Sequence, residues 1–256
     1  MRSSTACSRA LRGEAKVDYF GEQGRLRGNT LFLARRPESV RIDVFSPFGV
    51  MLSTLTANGE RFAFLDVKGK DFFQGPANAC NVERFLKVPV PPHVLVDLLG
   101  GQAPVLVHQD SDATIEWDSD NYLVRIRSRH EATEEIRFEP APDDWDRPWQ
   151  NQQLRVRQVV VAQRGVELYR VELEGHEPAR TAPPRVDPDG LEPDLPPSGP
   201  PCRAELPRRL RFISPLVDQD VLFLYKDVEH NPPLRRGVFR QEPPPGVEVR
   251  YAACSG

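Results

Sequence analysis

No run of about 18 apolar residues occurs in this 256-residue chain, so nothing in it is expected to cross a bilayer as a helix. The apolar h-region of a secretory signal is missing as well. Catalytic signatures are equally scarce. The five histidines, His93, His108, His130, His176 and His230, stand singly, and there is no HExxH helix, GxSxG elbow or phosphate-cradling glycine loop. No enzymatic activity is expected. Asp143, Asp144 and Asp146 sit in a proline-flanked loop where carboxylates serve as solvated turn residues. Asp187, Asp189 and Glu192 are spaced somewhat like a calcium loop, but Pro188 and its neighbours spoil the backbone an EF-hand needs. A formal net charge of -3 supplies no polybasic patch, which argues against nucleic acid as a partner. The four cysteines, Cys7, Cys80, Cys202 and Cys254, lie too far apart for the paired ligands of a zinc site. No metal or cofactor is expected.

What the chain does have is strand pattern and proline. Leu11 to Phe20 and Gly24 to Arg35 suit a first hairpin, turned at 21–24. In Val40, Ile42 and Val44 the apolar side chains recur every second residue while Arg41 and Asp43 point away, the period of a half-buried strand. Ser46, Pro47, Phe48 and Gly49 form a tight connection. Asn58 and Gly59 predict a type I′ hairpin turn, because both tolerate positive φ. Arg61 to Val67 returns, and Lys68 and Gly69 turn the chain into Asp71, Phe72 and Phe73.

The period then changes. Val82, Phe85 and Leu86 fall on one face of a short helix, three prolines between Val88 and Pro92 break it, and Val94, Leu95, Leu98 and Leu99 mark a second helix closed by Gly100 and Gly101. Strands resume at Thr114 to Trp117, Tyr122 to Ser128, Glu135 to Glu139, Leu154 to Val161 and Val166 to Leu173. Glu177 to Pro201 holds nine prolines in 25 residues and is expected to be a disordered insertion. Arg203 to Ile213, Asp220 to Glu229 and Gly246 to Ala252 read as closing strands, too few for a second core. The expected organisation is therefore an N-terminal tether or signal remnant over residues 1–10 and one domain over 11–256. No internal repeat is evident. Helices with one apolar face, inserted between strands with one apolar face, must cover the sheet.

The N-terminal row Ser3, Ser4, Thr5, Ala6, Cys7 resembles the end of a lipoprotein signal, in which the cysteine is acylated. Ser4 stands where an aliphatic residue is usual, and the preceding apolar stretch is absent or truncated, so an ordinary cysteine is the alternative. If Cys7 carries lipid, Cys202 and Cys254 are the preferred disulfide pair, since both flank predicted C-terminal strands, although spacing fixes no connectivity.

Three segments carry a family resemblance: RIDVFSPFGVMLSTLTANGERFAFLDVKGKDFFQG, VERFLKVPVPPHVLVDLLGG, and ELPRRLRFISPLVDQDVLFLYKDVEHNPPLRRGVFRQEPPPGVEV. Together they resemble the LolA/LolB superfamily of bacterial lipoprotein carriers and receptors, nearer to the outer-membrane receptor LolB than to the soluble carrier. The resemblance implies a mainly β fold: a strongly curved antiparallel sheet, an unclosed half-barrel, with short helices over an apolar cavity. It implies acyl chains of lipoproteins or other lipids as ligands, a LolA-like carrier as partner, and a place on the periplasmic face of the outer membrane. Val44, Leu52, Phe62, Phe64, Phe72, Leu86, Val94 and Leu98 are the candidate cavity lining, with plain core packing as the competing role of each. Phe48, in the loop that presents an apolar side chain in LolB-like proteins, is the candidate for membrane insertion. An accessory envelope subunit that keeps the fold without transport is the alternative function.

Overall fold

The computed structural model describes residues 2–3, 5–21, 24–190 and 193–253. The first half of the chain forms β1 (Arg2–Ser3), β2 (Ala10–Gly21), β3 (Gly24–Arg35), β4 (Ser39–Phe45), β5 (Met51–Asn58), β6 (Arg61–Asp66) and β7 (Asp71–Pro76). Two helices follow, α1 (Ala79–Leu86) and α2 (Pro92–Leu99). The second half begins with β8 (Ala113–Asp118), β9 (Asn121–Arg127), β10 (Ala132–Pro140), β11 (Gln153–Gln163) and β12 (Val166–Glu174). It ends with the short β13 (Glu177–Pro178), β14 (Arg180–Thr181) and β15 (Glu205–Leu206), then β16 (Arg209–Ser214), β17 (Gln219–His230) and β18 (Glu248–Tyr251).

Strands β2 to β7 form one antiparallel meander, and β8 to β12 with β16 and β17 form another. The two join at the centre, where β17 pairs with β2 from Asp220 opposite Phe20 to His230 opposite Leu11. The result is an open sheet with β18 and β8 at its edges, and the helices carry the chain from one side to the other. This is the unclosed antiparallel architecture expected from the sequence. Bulges after Val44, Arg137, Val161 and Tyr225 bend the strands. At Gly13 the Phe32 ring lies where a Cβ would stand, so only glycine lets the ring fold onto the strand there.

Alternation assigns the faces. Leu11, Phe32, Val40, Ile42, Leu55, Phe62, Leu210, Phe212, Val171 and Ile136 are buried in one continuous apolar cluster that includes α2 residues Leu95, Leu98 and Leu99. The outer face is polar and laced with ion pairs, among them Arg12 with Glu229, Lys226 with Glu14, and Arg211 with Asp220. Over β4 to β6 it is also covered by the C-terminal segment, whose Gln241 Nε2 donates to Thr54 O, Thr56 Oγ1 and Ala63 O at 3.1–3.2 Å.

Several local expectations differ from the structure. The β5–β6 turn has Gly59 at φ 92° but neither Asn58 nor Glu60 at positive φ, which is the pattern of a type II′ turn rather than I′. Asn58 instead uses its side chain, accepting from the N–H of Glu60 and Arg61. The proline-rich insertion is tied down rather than disordered: β13 pairs with β15, β14 runs parallel to β17, and Arg185 bridges Leu195. Pro residues cannot donate, but Ala182 and Ser198 N–H bond the carbonyls of His230 and Asn231. The described residues 2–3 and 5–10 are likewise no loose tether. β1 pairs with β11, and Asn231 accepts from the N–H of Arg9 and Ala10 while donating to Cys7 O and Pro200 O. The predicted strand Arg203 to Ile213 is divided into β15 and β16 around Pro207.

Candidate functional site

Between α1 and the β5–β7 end of the sheet lies an aromatic cluster. Phe85 of α1 stacks on Phe64 with ring centroids 4.4 Å apart and meets Phe73 at 5.1 Å and Phe62 at 5.4 Å. Phe62 is fully buried, whereas Phe64, Phe73, Phe85 and Leu86 are only partly so. The helix is short, capped at its start by Asn78, whose side chain accepts from Asn81 N–H, and ended by Lys87 in the left-handed region. Helix α2 is held more firmly. Leu98 is fully buried, Val94 nearly so, Tyr225 donates its hydroxyl to Leu99 O at 3.1 Å, and Arg36 lies 3.8 Å from Asp97. Burial pushes the Asp97 carboxyl up, with Arg36 opposing the shift.

The register sorts the eight residues expected to line a cavity. Val44, Phe62 and Phe64 are on the helix-covered face, and Leu86, Val94 and Leu98 belong to the helices above it. Leu52 and Phe72 do not line this space. Ser53 opposes the inward Val44, so Leu52 points outward and is 40% exposed; Phe72, next to inward Phe73, is buried on the outer face beside Val249 of β18. A one-residue step reverses a strand side chain, and consecutive phenylalanines at 72 and 73 conceal which is which. Phe73 and Phe85 were the missed members of the cluster; Phe85 was legible at helical spacing from Val82.

Beyond α2 the chain crosses the inner face as an extended strap, residues 102–109. Its Leu106 N–H donates to Glu134 Oε2 at 2.9 Å, while Glu134 Oε1 has no hydrogen-bond partner among the described residues. Burial raises the Glu134 carboxyl to about 7, only partly offset by that N–H. Tyr169 faces the same space, its hydroxyl pushed up by burial and by Glu134. His176, just past the end of β12 and 4.0 Å from Glu139, is lowered to about 4 by burial and by Arg155 and Arg157. Nothing in the sequence marks Glu134, which occupies an inward position of an alternating strand where an apolar residue is normal.

Phe48 is the most exposed large apolar residue among those described, at 92%. Pro47 and Gly49, the latter at φ 79°, hold it at the tip of the β4–β5 turn, and Ser46 Oγ accepts from Phe48 and Val50 N–H. Val50, Met51, Leu52 and Val67 extend the apolar patch, and Val67 N–H bonds Leu52 O. Elsewhere, one cleft of about 280 Å³ is lined by Asp143, Arg147, Arg155 and Glu205, one of about 300 Å³ lies between β5–β7 and the C-terminal segment, and one of about 350 Å³ lies at the β7 edge against Pro76 and Tyr251. No group of three or more metal-ligating side chains is present among the described residues.

The cysteine expectations are corrected. Cys202 bonds to Cys7, not Cys254, with Cα atoms 5.3 Å apart. A sulfur in a disulfide cannot carry a thioether lipid, so Cys7 as found here is not a lipidation site. Both residues are brought together by the insertion, which places Cys202 beside Thr181 and the N-terminal segment. Cys80 is also disulfide-bonded. Cys254 lies outside the described residues.

The sequence matches no known family model and no curated protein. Solved structures, by contrast, share its architecture. A LolA superfamily protein from Nitrosomonas europaea is 10% identical, with 91% of each chain covered and a TM-score of 0.53. A DUF1329 family protein from Desulfovibrio piger is 8% identical over 92% of this chain and 91% of that one, with a TM-score of 0.57. A putative outer membrane lipoprotein-sorting protein domain from Vibrio parahaemolyticus is 7% identical over 90% and 88%, at 0.53. At such identities the likeness is one of fold, and the chain has the open, helix-covered sheet of LolA superfamily proteins.

Proposed function

We propose that this protein is a non-catalytic, LolB-like lipid-handling protein of the periplasmic face of the outer membrane. It takes acyl chains of lipoproteins or other lipids between α1 and the inner face, receives them from a soluble LolA-like carrier, and passes them to the membrane. The observation that carries this reading is Phe48, 92% exposed at the tip of the β4–β5 turn and the most exposed large apolar residue among those described. The partly buried aromatic cluster beneath the short α1 supplies the apolar surface that a displaced helix would offer to a lipid. A container is worth having: leaving a sixteen-carbon chain in water costs on the order of 12 kcal/mol at about 0.8 kcal/mol per methylene. The Cys7–Cys202 disulfide suits an oxidising compartment. With Cys7 so engaged, contact with the bilayer falls to the Phe48 turn rather than to an acyl group on that sulfur.

The test is transfer of a diacylated peptide from the loaded protein to vesicles. Wild type is expected to transfer and Phe48→Glu to retain its cargo; equal transfer by both removes the role given to Phe48. A second reading, an envelope scaffold without transport, is favoured by the complete burial of Phe62 and Leu98 within the core cluster. It predicts that the protein binds no diacylated peptide at all.

A further inference from the structure

The connection after β16 repeats the chemistry of the connection after β4. Arg41, Ser46, Pro47 and Phe48 recur at identical spacing as Arg209, Ser214, Pro215 and Leu216. Leu216 is 59% exposed and Val217 38%. Each turn is closed by a residue at positive φ, Gly49 in the first and Asp218 in the second. Each proline fixes the backbone and removes an N–H that would otherwise need a partner away from water.

Topology puts both turns at one end of the sheet. From β4 to β16 the order runs through β3, β2 and β17, each pairing antiparallel, so β4 and β16 point the same way. Phe45 is level with Asn29, Lys16, Leu224 and Arg209 in turn, which sets Ser214 four residues further along than Ser46. The two turns are thus at the same end of the sheet, offset by about 13 Å along the strands and about 19 Å across them. Each turn also has a neighbour with an exposed apolar residue and unpaired positive charge. Beside Phe48 the β6–β7 turn exposes Val67, Lys68 and Lys70, and beside Leu216 the β11–β12 turn exposes Arg164 and Val166. None of these three cations has an ion-pair partner among the described residues. Acidic groups stand beside both tips as well: Asp218 and Glu131 at the second, and at the first Asp66, which accepts from Lys68 and Gly69 N–H, with Asp71 and Glu248 paired to Arg250.

Resting on the reading of Phe48 as a membrane contact, we propose that the protein docks on an anionic bilayer through two turns, with Leu216 and Val217 as a second apolar anchor and Lys68, Lys70 and Arg164 as the charge-matching groups. Apolar tips flanked by cations match the chemistry of a negatively charged lipid interface, where the tips enter and the cations meet phosphate. Two anchors also fix the rim's orientation, which a single anchor cannot.

Sedimentation of the full chain with vesicles of phosphatidylcholine alone, or with 30% phosphatidylglycerol, tests this. Wild type is expected to bind the anionic vesicles at least tenfold more tightly than the neutral ones. Leu216→Glu and Phe48→Glu are each expected to weaken anionic binding at least tenfold, and Lys68→Glu with Lys70→Glu to abolish the preference for anionic lipid. Circular dichroism and thermal melting report that each variant is folded; for any that is not, Leu216→Ser and Phe48→Ser replace the glutamates. If Phe48→Glu loses binding and a folded Leu216 variant does not, the second anchor is wrong while the Phe48 reading stands. If wild type binds no vesicles, both fall; binding that is indifferent to lipid charge overturns the assignment of the cations.

Discussion

Replacing Glu134 by glutamine should make the protein more stable above pH 7 and change how stability varies with acidity. In the native state this carboxyl is raised from 4.5 to about 7. Between those pH values the native chain holds a proton that the unfolded chain has released, so stability is lost as pH rises through the window. A displacement of about 2.5 pH units corresponds to about 3 kcal/mol at about 1.4 kcal/mol per unit. His176 acts in the opposite sense. Lowered from 6.5 to about 4, it is neutral in the native state where the unfolded chain is protonated, so stability is lost as pH falls from 6.5 to about 4. That loss is also about 3 kcal/mol. In wild type the two slopes oppose each other between pH 4.5 and 6.5. Glu134→Gln keeps an acceptor for Leu106 N–H but removes the first slope, and the uncovered His176 term should cut its stability by about 3 kcal/mol between pH 7 and pH 4 relative to wild type. His176→Gln should show the reverse tilt, and the double variant should run parallel to wild type. Urea titrations followed by tryptophan fluorescence at half-unit intervals from pH 4 to 8 measure this. Parallel curves for wild type and Glu134→Gln would refute the reasoning.

Other parts of the structure give further expectations. Replacing Cys7 and Cys202 by alanine opens a cross-link spanning 195 residues and should cost up to about 5 kcal/mol, read as a lowered Cm in urea. Intact-mass analysis of protein from its native membrane should find Cys7 without acyl groups; a thioether-linked diacylglycerol there would contradict the disulfide assignment. Asn231→Ala removes four side-chain hydrogen bonds that join the N-terminal segment to the insertion, and is expected to destabilise by about 2–3 kcal/mol with protease cutting shifted to residues 5–9 and 193–201. Phe85→Ala should cost α1 about 2 kcal/mol of local stability, seen as roughly thirtyfold faster amide exchange over Ala79–Leu86 with α2 unchanged. Exchange rising equally in α2 would mean the helices open as one unit.

Much of the fold was readable because strand periodicity is local. Val40, Ile42 and Val44 declare their face without help from the rest of the chain, and Val82, Phe85 and Leu86 declare a helix, both of which the structure has. What failed depends on long-range partners. The proline-rich stretch looks structureless in isolation because it has no period of its own, yet it is held through Ser198 N–H to Asn231 O and the Cys7–Cys202 bond, contacts made with segments remote in sequence. Cysteine pairing was illegible for the same reason. Leu52 and Phe72 were misplaced because adjacent apolar residues near strand ends carry no parity signal, and only the register with Ser53 and Val249 resolves them. Glu134 was invisible because a charged residue in an alternating strand reads as outward-facing, while here its neighbours Val161 and Ile126 turn it inward.

The account stands on acyl chains being held beneath α1. Native mass spectrometry of the purified protein mixed with a dipalmitoylated peptide measures this directly. One peptide retained per wild-type chain, and markedly weaker retention by Phe85→Ser, is the predicted result; a wild-type chain that keeps its bare mass at saturating peptide would contradict it.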